Sequence, residues 1–100
     1  MLNMKLINRE TEGEIQMVGR LDTNSAAEAE KLLTETVERF DSLILDMNEL
    51  EYVSSAGLRA LKRAYIAMRR KGGTIAVKNV AKQVMEVFEI TGFMGMLKFV

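Results

Sequence analysis

Ser54 and Ser55 stand where an apolar run ends and a helical repeat begins, and Ala56, Gly57 and Leu58 follow them. A serine at such a junction can act as a nucleophile, cap the helix, or accept a phosphate. The nucleophile reading has the right setting. Val53-Ser54-Ser55-Ala56-Gly57 lies in the strand–turn–helix context of a G-x-S-x-G elbow, but with Val53 at the first glycine. The chain contains no histidine and no cysteine. The usual general base, the thiol nucleophile and the commonest metal ligands are therefore missing. An unassisted serine hydroxyl is a weak nucleophile, so hydrolase chemistry is set aside. The other two readings stay open. Serine is a favoured N-cap, worth about 1 kcal/mol over alanine. A phosphate would bring about −1.5 to −2 charges and three acceptor oxygens. A helix N-terminus offers it free N–H groups and the positive end of the dipole. The small residues Ala56 and Gly57 would leave the hydroxyl open to a kinase.

Other chemistry-bearing clusters carry less. Asp46 to Glu51 has spaced oxygen ligands, but a calcium loop needs glycine sixth and glutamate twelfth, where Glu51 and Gly57 stand. No phosphate-binding loop ending in Gly-Lys-Ser/Thr occurs, and Gly72-Gly73 reads as a helix stop. From Ser55 to Lys71 the chain has Arg59, Lys62, Arg63, Arg69, Arg70 and Lys71 and no acid. That pattern suits a solvated helix face with cations near its C-terminus, part of which can meet an acidic partner. Overall the 14 basic and 14 acidic residues cancel, which is not the footprint of a nucleic-acid binder. Absence of cysteine excludes disulfides. No apolar run approaches the roughly 18 residues of a membrane span, and the first residues lack a signal-peptide pattern. A cytoplasmic protein without membrane insertion is expected.

These residues must be held by a scaffold, and the chain's periodicities predict one. One hundred residues is the size of one domain, 1–100. Met4 to Arg9 predicts a strand, Thr11-Glu12-Gly13 a turn, and Glu14 to Gly19 a second strand. Ser25 and Glu28 form a capping-box pattern at the head of a helix running to about Phe40, with Ala29, Leu32, Leu33 and Val37 on one face. Ser42 to Met47 predicts a strand apolar on both faces at Leu43, Ile44 and Leu45, as in a sheet covered on both sides. Leu58, Leu61, Tyr65 and Met68 then repeat at helical spacing from Ser55 to Lys71. Thr74 to Val77 is rich in β-branched residues and predicts a strand. Ala81 to Thr91 predicts a helix ended by Gly92, with Val84, Val87 and Phe88 inward, and Leu97 to Val100 a short last strand. The order predicts an α/β domain with a mixed sheet whose first two strands form a hairpin. Most of the eight methionines suit core filling, with Met94 and Met96 available as an adaptable contact surface.

Gly19-Arg20-Leu21-Asp22, Leu43-Ile44-Leu45-Asp46, Leu50 through Leu58, Gly72 through Val77 and Glu89-Ile90-Thr91-Gly92-Phe93 resemble, in that order, the STAS domain (sulfate transporter and anti-sigma factor antagonist). The resemblance covers nearly the whole chain. It implies a STAS-like mixed β-sheet with helices packed on one side. It also implies a non-enzymatic partner switch. The unphosphorylated antagonist binds an anti-sigma factor that is itself a serine kinase, and the sigma factor is freed. The kinase then phosphorylates the antagonist and the complex separates; a serine phosphatase resets it. ATP belongs to the kinase, so no cofactor or metal is implied for this chain. In the family's Asp-Ser-[Ser/Thr/Ala]-Gly-Leu motif the accepting serine aligns with Ser55, while the Asp position holds Ser54. Asp22 matches the family's aspartate near the phosphoserine loop, and could also cap the first helix. Asp22, Ser54, Ala56 and Gly57 thus surround the acceptor, and Leu58, Arg59 and Lys62 are contact candidates. The resemblance also allows a STAS subunit docked on a transporter. Family members commonly continue past the position of Val100 into a further helix, so a minimal or trimmed domain exposing Met96 and Phe99 is expected.

Overall fold

The computed structural model describes residues 2–100. Five strands form one mixed sheet in chain order: β1 Leu2–Arg9, β2 Glu12–Leu21, β3 Ser42–Val53, β4 Thr74–Lys78 and β5 Lys98–Phe99. The helices are α1 Ala26–Arg39, α2 Ser55–Arg70 and α3 Lys82–Thr91, followed by a short 3-10 turn at Phe93–Gly95. β1 and β2 pair antiparallel as the predicted hairpin, turning at Glu10 with φ 66°. β2, β3, β4 and β5 run parallel. Each helix joins one parallel strand to its next neighbour in the same direction. Right-handed crossovers then place all three helices on the same face.

That face carries the core. Ile15, Leu45 and Val77 lie side by side in register and are each fully buried. Leu33, Leu61 and Met68 of the helices close over the sheet. Phe88 stacks on Phe93 at 5.8 Å and meets the edge of Phe99 at 6.3 Å, which anchors α3 and the chain end. The opposite face is a row of mixed character: Glu14, Ile44 and Ala76 stand in register there. The expectation of a strand covered on both sides is thus corrected, since Ile44 is only half-buried while Leu43 and Leu45 are sealed. On the open face Glu14 is buried between Arg9, 3.4 Å away, and Lys78, at 3.2 Å, so its carboxylate is paired.

Three further expectations change. Ser25 does not head a capping box. It has helical dihedrals, and its hydroxyl turns back to donate to the Arg20 carbonyl at 2.8 Å. Both β2 and β3 run further than their alternation suggests. β3 takes two extra residues against β2, with register shifts between Gln16 and Val18 and between Gly19 and Arg20. Bulges break the period of two, which is why the sequence pattern stops short. Met96 and Phe99 are half-buried against the core rather than exposed.

Candidate functional site

The serine pair sits at the C-terminal ends of the parallel strands β2 and β3, where the bulged β3 delivers the chain into α2. Val53 is paired with Leu21. The Ser54 amide then donates to the Leu21 carbonyl at 2.8 Å, so the sheet ladder reaches one residue beyond β3. Ser54 has extended dihedrals, φ −90° and ψ 174°, and its hydroxyl accepts from the Gly57 amide at 3.1 Å. It is therefore the N-cap of α2. Ser55 is the first residue of the helix and is exposed, and its hydroxyl makes no hydrogen bond among the described residues. Capping and availability, which the sequence left on either serine, fall to separate residues.

Gly57 locks this junction. A Cβ there would stand 2.7 Å from Leu21 Cγ and 2.8 Å from the Leu21 carbonyl oxygen. Only glycine lets the first turn of α2 rest on the end of β2. Leu21 thus meets both Ser54 and Gly57, and the next residue is Asp22. Asp22 Oδ1 accepts from the Asn24 amide at 3.0 Å, the Ser25 amide at 3.1 Å and the Ser25 hydroxyl at 3.2 Å. It caps the lead into α1. Partial burial pushes the Asp22 carboxyl up, but the bonds from Ser25 and Asn24 reverse this and hold it below the usual carboxylate range. It stays ionised and fixed.

Ala56 is half-buried and Gly57 buried. Leu58 is 9% exposed and packs in the core. Arg59 and Lys62 are exposed. Two side chains that sequence reasoning passed over flank the site. Arg20 lies over the Tyr52 ring, 4.3 Å from its centroid, and its Nε is 3.9 Å from Asp22 Oδ2. Tyr52 is 41% exposed, large for an aromatic ring in a strand. Arg20 and Tyr52 pair across β2 and β3 only because of the second register shift, which a residue pattern does not reveal. The apolar cleft of about 150 Å³ lined by Tyr65, Met68, Ile75 and Met96 lies toward the far end of α2.

A small exposed hydroxyl on a helix N-terminus, with a sealed glycine behind it and ionised groups beside it, suits recognition by another protein. A family model for the STAS domain matches residues 5–100. The chain belongs to the STAS domain family. Among curated proteins it is similar to BtrV of Bordetella bronchiseptica, named as a candidate anti-sigma factor antagonist. That match is 35% identical over 75 residues, or 71% of this chain and 65% of BtrV. The matched part thus falls just short of two thirds of BtrV's length. It is also similar to the anti-sigma-B factor antagonist of Bacillus subtilis, 22% identical over 91% of this chain and 84% of that protein. The fold matches an anti-sigma factor antagonist from Mycobacterium paratuberculosis with a TM-score of 0.88 at 17% identity, over 99% of this chain and 85% of the other. SpoIIAA from Bacillus matches in its unphosphorylated form with a TM-score of 0.75 at 13% identity, over 100% of this chain and 87% of that one. Its phosphorylated form matches with a TM-score of 0.74 at 14% identity, over 100% and 91%. The mixed sheet with three helices is the STAS arrangement expected from the residues. No helix among the described residues is long and apolar enough to cross a membrane.

Proposed function

We propose that this STAS domain is an anti-sigma factor antagonist switched by phosphorylation of Ser55. Unmodified, it binds an anti-sigma factor that is a serine kinase and so frees a sigma factor. The kinase transfers the γ-phosphoryl group of ATP to Ser55 Oγ; the hydroxyl proton passes to a base of the kinase and ADP leaves. A serine phosphatase hydrolyses the phosphoserine and returns the antagonist. The exchange takes place in the cytoplasm, and this chain performs no catalysis of its own.

The observation that carries the reading is the division of labour between the serines. Ser54 caps α2 and ties it to Leu21, while Ser55 is exposed and its side chain bonds to nothing among the described residues. A phosphate on Ser55 would displace no hydrogen bond. No acidic side chain stands in the first turn of α2 to repel it, and the helix dipole favours it. The added bulk and charge would fall on whatever covers the junction. Asp22, held ionised 3.9 Å from Arg20, sets the polarity of the surround. A likeness to SpoIIAA, solved in both phosphorylated and unphosphorylated forms, supports the same direction.

The test is to incubate the protein with its cognate anti-sigma factor kinase and ATP and to map the product by mass spectrometry. Phosphate on Ser55 is expected. An active kinase that leaves Ser55 unmodified, or marks Ser54 instead, sinks the mechanism.

A further inference from the structure

The cations of α2 divide into two sets. Arg63 donates to both oxygens of Glu30, at 2.9 and 3.0 Å. Arg69 donates to the Tyr65 hydroxyl at 3.0 Å. Lys71, just past the helix, donates to the Val37 carbonyl at 2.6 Å and the Phe40 carbonyl at 3.2 Å, and lies 3.3 Å from Asp41. Arg63 and Lys71 tie α2 to α1 and its C-terminal end, and Arg69 is bonded within α2 itself. Arg59, Lys62 and Arg70 are exposed and make no ion pair among the described residues.

The free set is not scattered. At about 100° per residue, positions 55, 59, 62, 66 and 70 fall within roughly 80° of arc and extend about 22 Å along the helix. The stripe therefore has Ser55 at its head, three free cations along it, and Ile66, 38% exposed, in its middle. An apolar centre edged by unpaired charge is the make-up of a protein interface. A nucleic acid fits less well, because the whole chain is neutral and neighbouring α1 exposes Glu28, Glu35 and Glu38.

We propose that this stripe docks an acidic protein surface, that of the anti-sigma factor kinase, and that phosphorylation acts by neutralising it, Arg59 first. The proposal rests on the partner-switch reading above and deepens it. Arg59 is four residues beyond Ser55, and an acid placed N-terminal to a base at that spacing is the favourable order on a helix. A phosphate of about −1.5 to −2 charges would cancel half or more of the three free positive charges. Arg59 would turn from the partner to the phosphate. The switch then needs no change of fold.

Two measurements test this separately. In the first, affinity for the anti-sigma factor kinase cloned from the same genome is measured over a range of salt. The unmodified protein should bind more weakly as salt rises. Arg59→Gln and Lys62→Gln should each weaken binding about three- to tenfold, whereas Arg63→Gln, already paired with Glu30, should change it less than twofold. Equal effects at all three positions, or none, would overturn the stripe while leaving phosphorylation of Ser55 intact. So would comparable retention by a DNA duplex or by phosphatidylserine vesicles. In the second, phosphoserine is placed at position 55 by genetic code expansion, so no kinase is needed, and the phosphate is titrated by 31P NMR. Its second pKa should be about 0.3 units lower in the otherwise wild-type protein than with Arg59→Gln. Identical values would overturn the Arg59 step, whatever the kinase does.

Discussion

Replacing each serine by alanine separates the cap from the proposed phosphate acceptor. Ser54→Ala removes the acceptor of the Gly57 amide, which is 3.1 Å from the hydroxyl. Gly57 is buried against Leu21, so water cannot readily take the place of that oxygen. Loss of an N-cap costs about 0.5–2 kcal/mol, and the buried amide places this one in the upper half of that range. At about 4–8 °C per kcal/mol for a domain of this size, Tm should fall by about 5–16 °C. Ser55→Ala removes no side-chain hydrogen bond among the described residues and puts a better helix former at an exposed first position. Its effect should be a few tenths of a kcal/mol in either direction. Urea unfolding followed by circular dichroism gives both values, provided the m-value is unchanged. Because Ser55 shares no partner with Ser54, the double variant should match Ser54→Ala closely. If Ser55→Ala destabilises as much as Ser54→Ala, the assignment of cap and free hydroxyl is wrong, and with it the argument that phosphate spares the fold.

Three other outcomes follow from the same junction. Gly57→Ala drives a methyl group to 2.8 Å from the Leu21 carbonyl; a cost of about 1–3 kcal/mol is expected in the same unfolding assay, and a neutral result would mean that α2 slides freely on β2. Ser55→Asp should melt near wild type yet bind the anti-sigma factor kinase poorly; tight binding by both this variant and the phosphorylated protein would rule out a charge-based switch. The Asp22 carboxyl, lowered in the folded state, should contribute stability above the ordinary aspartate range and lose it as pH falls through its folded value. Asp22→Asn should therefore flatten the acid limb of the stability profile, and a carboxyl that titrates by 13C NMR at or above the ordinary value would contradict the capping geometry.

Much of the architecture is legible in the residues because period and punctuation agree. Leu58, Leu61, Tyr65 and Met68 mark α2, Gly72 and Gly73 end it, and the fully buried row Ile15, Leu45 and Val77 faces the helices. Three features are not legible, each for a physical reason. The capping box at Ser25 and Glu28 fails because a nearer carbonyl, that of Arg20, takes the hydroxyl. The pairing of Arg20 with Tyr52 depends on register shifts, which are set by how two strands meet and not by either alone. Ile44 looks like core because it is apolar, but with every crossover on one face it has only sheet neighbours to lie against. At the site itself, residue identity located the serines and spacing placed them on a helix end. Which one caps was undecidable without the dihedral angles of Ser54.

The departure from the family motif at Ser54 then acquires a physical meaning. An aspartate there would cap α2 as well as serine does, but would set a negative charge beside the incoming phosphate. Serine keeps the bond to the Gly57 amide without that charge. The first turn of α2 holds no acid, so a phosphate on Ser55 would meet the open end of the helix dipole and Arg59 one turn on, with no like charge within that turn to offset either. Ser54→Asp isolates this term. Its folding stability should equal or exceed wild type at neutral pH, because a carboxylate is as good a cap and complements the dipole. The second pKa of phosphoserine at position 55 should rise relative to the Ser54 protein, since an adjacent negative charge disfavours the dianion. An unchanged phosphate pKa alongside preserved stability would mean that the neutral residue at position 54 has no electrostatic part in the switch.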